Sequence, residues 1–165
     1  MEERTSLYLT QLSAADRKLL QLSVQMNPLM VANADGNYSL REAAAVSEVV
    51  RSLMSDPQFR PLILVAGHAE LSDAALRVML ETHTKDIDGY LSQLADLLEQ
   101  LPEDVAIAYR RFTLFAIIRV AEASRDGLFG LMGDRISQCE KSVMRKMVDA
   151  LALEPNEEEK TKLGM

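Results

Sequence analysis

The chain has 165 residues, 18 of them basic and 25 acidic, for a formal net charge of −7. That balance argues against a nucleic-acid phosphate footprint, which needs a clustered basic face, and against attraction to an anionic membrane. With 48% hydrophobic and 26% charged residues, a packed core is expected rather than disorder. Aromatics are only 5%, Trp is absent and Met occurs 9 times, which favours helices, because unbranched side chains lose little rotamer freedom there.

One cysteine, Cys139, leaves no intramolecular disulfide to form, and a single thiol fits a reducing compartment. The start Met1-Glu2-Glu3-Arg4 has no apolar run behind it and does not read as a secretory signal. The densest apolar stretches, Leu62-Ile63-Leu64-Val65-Ala66 and Leu114-Phe115-Ala116-Ile117-Ile118, fall far short of the roughly 20 residues that span a bilayer. A cytoplasmic chain without direct membrane insertion is expected.

Strand alternation is nearly absent, and helical periodicity runs throughout. A first helix is predicted from Ser13, which caps it, with Asp16 at its positive end. Leu19, Leu20, Leu22 and Val24 form its apolar face. Pro28 is expected to end or kink it, with Leu29 to Ala32 as a short apolar turn before Asp35-Gly36-Asn37. Ser39 and Glu42 then make a capping box, opening a helix that turns Val46, Val49, Val50, Leu53 and Met54 inward and stops at Ser55-Asp56-Pro57. Phe59 to Ala66 forms another.

Ser72-Asp73 starts the next helix, through Leu76, Met79 and Leu80. Whether Asp88-Gly89 breaks it before Tyr90, Leu94 and Leu98 stays open. Pro102 suits a first helical turn, followed by Glu103 and Asp104. From there to about Ala123 the pattern is apolar on most of its circumference, the mark of a surrounded helix. A glycine-rich loop, Ser124 to Asp134, leads to a last helix capped by Ser137 and Glu140. Beyond Pro155 the segment Asn156-Glu157-Glu158-Glu159-Lys160 reads as a frayed, flexible polar tail. All of residues 1–165 make a single domain, an all-α compact bundle of about six to eight helices.

Two passages echo each other. Val31-Ala32-Asn33-Ala34-Asp35-Gly36-Asn37-Tyr38-Ser39-Leu40-Arg41-Glu42 and, after an insert, Val120-Ala121-Glu122-Ala123 with Gly133-Asp134-Arg135-Ile136-Ser137-Gln138-Cys139-Glu140 both run from a helix end through a Gly/Asp turn to a Ser cap and a Glu. A duplicated helix–turn–helix unit leaves such a pattern. The first passage also has Asn33, Asp35, Gly36, Ser39 and Glu42 at EF-hand spacing. Val31 falls at the opening ligand position, however, and Phe129 and Leu131 fall at ligand positions of the second, so an EF-hand is rejected.

The two passages, with the loop Asp126-Gly127-Leu128-Phe129-Gly130 before the second, resemble the tellurite-resistance TerB-like family. The resemblance implies a helical bundle acting in stress response, with a protein partner or in a membrane-associated complex. It also implies a divalent cation (calcium, magnesium, manganese or zinc) held by acidic turn residues, here Asp35 and Glu42 at the first turn and Asp134 and Glu140 at the second. Asn37 and Arg135 stand where further acidic residues are common in the family, and Arg41 brings a positive charge to the first turn. Helix capping needs the same residues, so capping without metal is the alternative.

Other candidates are weaker. His68 and Glu70 with Glu81 and His83 would suit zinc if the two segments met. Cys139 is expected as a small buried residue, and Met26, Met30, Met144 and Met147 as core filling. No nucleophile–base pair stands out, and no Gly-Lys-Ser/Thr follows the glycines at 127, 130 and 133. The expectation is a non-enzymatic module.

Overall fold

The computed structural model describes residues 12–67, 71–123 and 136–165. Among the described residues the chain forms α-helices and no strand, the all-α bundle that the periodicity implies. The helices are α1 (Ala14–Ala32), α2 (Leu40–Met54), α3 (Arg60–Ala66), α4 (Asp73–Thr84), α5 (Ile87–Gln100), α6 (Glu103–Ala123), α7 (Gln138–Ala150) and α8 (Glu157–Leu163), with a 3-10 turn (Pro57–Phe59) before α3.

The centre is α6 packed against α1. Tyr109, Phe112, Leu114, Ala116 and Ile117 of α6 are fully buried. Phe59 meets Phe112 edge to face, with ring centroids 5.3 Å apart, the arrangement that aromatic quadrupoles favour. α2 and α7 each pack against both α1 and α6 and have at most marginal contact with one another. The order of a central helix followed by a capped helix that crosses onto the other central helix therefore occurs twice.

Three boundaries differ from the sequence reading. First, α1 runs through Pro28 without ending there. A mid-helix proline costs about 3 kcal/mol through its missing N–H and ring clash. Leu29, Met30 and Val31, expected as a separate turn, continue the helix and are 0–2% exposed. Burying them contributes roughly 1.5–3 kcal/mol each, which outweighs the proline.

Second, α4 and α5 are separate helices, and the break falls at Lys85-Asp86, ahead of Asp88-Gly89. The Gly89 N–H donates to Asp86 Oδ1 at 2.9 Å. A Cβ at Gly89 would collide with that carboxylate. The glycine therefore lets the cap close; it does not break the helix.

Third, the segment after Pro155 is α8, not a flexible tail. Asn156 N–H donates to Glu159 Oε2 at 2.8 Å and Glu159 N–H donates to Asn156 Oδ1 at 2.9 Å, a reciprocal cap. Leu163 is fully buried. The Lys162 ammonium lies 3.0 Å from Glu122 of α6, which raises its pKa. Gly164, at φ +71°, closes the helix in the left-handed region. The polar count along 156–160 hid the cap and the single buried leucine that anchors it.

Candidate functional site

The first corner joins α1 to α2. Asn33 N–H still donates to Leu29 O at 2.9 Å, and Gly36 N–H donates to Asn33 O at 2.9 Å. Gly36 sits at φ +82°, a conformation that favours glycine. Asp35 Oδ1 accepts from Asn37 N–H at 2.9 Å, and Asp35 Oδ2 accepts from the Asn37 side-chain amide at 3.3 Å. Its carboxylate thus staples its own turn. Ser39 Oγ accepts from Glu42 N–H at 3.1 Å and donates to Glu42 Oε2 at 2.7 Å. The Glu42 carboxylate accepts from the Ser39 hydroxyl, where in a full capping box it would accept from the Ser39 backbone N–H.

Tyr38 ties this corner to α4. Its hydroxyl donates to Asp73 Oδ1 in the first turn of that helix, and the Arg77 guanidinium lies 5.6 Å from its ring centroid. Burial, and then the Asp73 carboxylate, push the Tyr38 hydroxyl up to about 12. Among the described residues of the corner, one buried side-chain atom lacks a hydrogen-bond partner, the Oδ1 of Asn33.

At the second corner Asp134 lies outside the described residues. Its companion Glu140 is 7% exposed. Glu140 Oε2 accepts from Ser137 N–H at 2.7 Å, and Glu140 N–H donates to Ser137 Oγ at 3.2 Å, a complete capping box. Cys139 beside it is exposed, where a buried residue was expected. The heptad-like apolar face of α7 falls on Met144, Met147 and Val148, and position 139 points away from it.

Asp35 and Glu42 thus share one corner, while Glu140 heads a helix on the other arm of the bundle. Among the described residues no three His, Cys, Asp or Glu side chains group to hold a metal ion. His68 and Glu70 of the zinc candidate lie outside the described residues. Glu81 is exposed beside Arg77 at 3.9 Å. The His83 ring lies 4.6 Å from that of Tyr90, and burial lowers its pKa. Met26, Met30, Met144 and Met147 fill the core at 0–2% exposure.

The sequence reading missed a polar chain inside the core. Tyr90 OH donates to Asn27 Oδ1 at 2.8 Å, Asn27 Nδ2 to Tyr109 OH at 2.9 Å, Tyr109 OH to Ser23 Oγ at 2.7 Å, and Ser23 Oγ–H to Leu20 O at 2.8 Å. Each donor has an acceptor, and the chain ends on a backbone carbonyl. All four side chains are at most 3% exposed. Burial pushes Tyr109 up to about 12 and Tyr90 well above its ordinary value. The only signal in the sequence was Ser23 and Asn27, four apart on an otherwise apolar helical face.

The surface has two concavities of note. A cleft of about 230 Å³ between α1 and α2 is lined by Gln21, Gln25, Ser47 and Arg51 over Val24 and Val50. A larger groove of about 840 Å³ runs between α1 and α4. One wall carries Ala14, Arg17, Lys18, Gln21 and Leu22, and the other Leu71, Ala74, Ala75, Val78 and Met79. The α1 wall is a helical stripe with i, i+3, i+4, i+7 spacing. The other wall sets Ala74, Ala75, Val78 and Met79 of α4 beside Leu71, which precedes the Ser72 cap, and the lining contains no acidic residue. Val78 is 64% exposed.

No described helix is long and apolar enough to cross a membrane. No family model matches the chain, and neither the curated proteins nor the solved structures include a match.

Proposed function

We propose that this chain is a non-enzymatic helical interaction module of the cytoplasm that docks a protein partner in the groove between α1 and α4. One observation carries the reading. The described acidic residues of the two corners all have local structural work, whereas one wall of the groove presents an apolar face of Leu71, Ala74, Ala75, Val78 and Met79 opposite a mixed α1 wall. Asp35 staples its turn, and Glu42 and Glu140 face their serine caps. A concave two-helix groove with one apolar wall suits helix-in-groove recognition, and Val78, 64% exposed on that wall, would be covered by such a partner.

The test is a photo-crosslinking amino acid placed at Val78, 64% exposed, in the intact chain, with Ile107 on α6, 52% exposed, as the control position. The expected result is an adduct of defined mass from position 78, absent from position 107 and removed by Ala74→Glu. Ala74 is exposed in the first turn of α4, where a carboxylate suits the helix dipole, so that variant keeps the fold. No adduct, or one that persists in Ala74→Glu, sinks the reading.

A second reading is favoured by the Asn33 oxygen without a partner. It is the TerB-like one, in which Asp35, Glu42, Asp134 and Glu140 hold a divalent cation in a stress-response module. A hard cation takes oxygen ligands, side-chain amides included. Asn33 Oδ1, two residues before Asp35 in the same turn, would add a third oxygen to the first corner.

A further inference from the structure

We propose that the C-terminal arm from Leu153 to Met165 is a strap that leaves and regains its seat on α6 and α7 as one unit, with the rest of the bundle folded, and that charge sets how firmly it is latched. The arm consists of α8 and the connector before it. α8 has 7 residues, and isolated helices shorter than about 12–15 residues are marginal in water. Its cap and the helices it packs on, α6 and α7, therefore keep it folded.

The latch combines two ion pairs with two apolar anchors. Lys162 Nζ lies 3.0 Å from Glu122 Oε1, and Arg111 Nη2 lies 3.4 Å from Glu159 Oε1. Glu122 and Arg111 both stand on α6. Arg111 also donates to the Glu154 carbonyl at 3.4 Å, which pins the connector. Leu153 and Leu163 are the buried apolar residues of the arm. The hinge works against this latch. Ala152 sits at φ +51°, in the left-handed region where its Cβ is crowded and glycine is favoured. The bond from Leu153 N–H to Val148 O at 3.0 Å holds it there, so lifting the arm relieves the hinge. Few apolar anchors, a strained hinge and ties that salt can screen put the arm at the low end of local stability. Its far end lies at the second corner. Lys162 holds Glu122 near the end of α6, and a Cβ on Gly164 would come within 3.2 Å of the Lys141 side chain near the start of α7. Release uncovers both helix ends together.

The test is residue-resolved amide exchange of the intact chain in about 0.1 M and about 1 M sodium chloride, between which the screening length falls from about 10 Å to about 3 Å. The amides of Leu153, Lys160, Gly164 and Met165 are each hydrogen-bonded with the arm seated. They should share one protection factor, far below that of the α6 amides, and the higher salt should lower it by about threefold. Glu122→Lys puts a cation at the C-terminal end of α6, where the helix dipole favours it. It should lower protection of the arm by about fivefold and leave α1 unchanged. Ala152→Gly should raise protection of the arm by about threefold or more. Protection graded inward from Met165 would mean end fraying, and protection equal to that of α6 would mean that the arm opens only with the whole bundle. Either result overturns the strap. Protection indifferent to both salt and Glu122→Lys overturns the ionic latch, and no gain in Ala152→Gly overturns the strained hinge.

Discussion

The polar residues of the core and those of the corners do opposite jobs with the same chemistry. Ser23, Asn27, Tyr90 and Tyr109 join α1, α5 and α6 across sequence separations of 63 to 86 residues. The Ser39–Glu42 and Ser137–Glu140 pairs reach three residues along one helix. The first set fixes which helices lie together, because any slip of α1 against α5 or α6 strands a buried donor. The second fixes only where a helix starts. Acidic residues at a corner therefore carry little information about ligands until their local work is subtracted.

The difference can be broken from the core side first. Asn27→Ala leaves the Tyr90 hydroxyl without its acceptor and opens space in a fully packed centre. A loss of about 3 kcal/mol is expected from urea unfolding. Tyr109→Phe, which keeps the volume, should cost less, about 1–2 kcal/mol. A cost below about 0.5 kcal/mol for Asn27→Ala would mean that water replaces the chain of hydrogen bonds.

Next comes α8, which has a local cap and one buried apolar anchor. Leu163→Ala removes the anchor and should cost about 2 kcal/mol, with faster amide exchange over 157–163. An unchanged exchange rate would mean that Arg111 and Glu159, 3.4 Å apart, hold the helix without it. The corners follow. Ser137→Ala should cost about 1 kcal/mol and Ser39→Ala about half of that. The order follows from the complete, buried box at Ser137 and the half-satisfied one at Ser39. Equal costs would erase the distinction between the two corners.

The smallest effect is one of pH. Burial holds the His83 imidazole below its ordinary 6.5, so the unfolded chain takes up the proton first as pH falls. The stability contributed by neutral His83 is complete above the unfolded value and is lost as pH drops through the lower folded one. The ring is partly exposed and screened, so the loss should stay under about 1 kcal/mol. His83→Gln should flatten the stability slope below about pH 6.5; the same slope in both proteins would assign it to other groups.

What was legible in the sequence follows the same division. The caps at Ser13, Ser39, Ser72 and Ser137, and the surrounded α6, could be read because they depend on neighbours three or four residues away. Asn156–Glu159 carries the same signature, but the polar residues around it read as a tail. Pro28 misled because a local rule was overridden by burial of Leu29, Met30 and Val31, which only the packed bundle supplies. The core polar chain and the α1/α4 groove depend on which helices become neighbours, and no spacing within one segment encodes that.

The most direct single measurement is the Tm of the intact chain titrated with calcium, magnesium, manganese and zinc, against the same series in Asp35→Asn. With corners that serve as caps and a groove that serves the partner, the expected result is no saturable shift for any of the four ions in either protein. A saturable rise in the parent chain, approaching the stabilisation of about 2.7 kcal/mol that a ligand gives at a hundred times its Kd, and absent from Asp35→Asn, would contradict it and make the first corner a metal site.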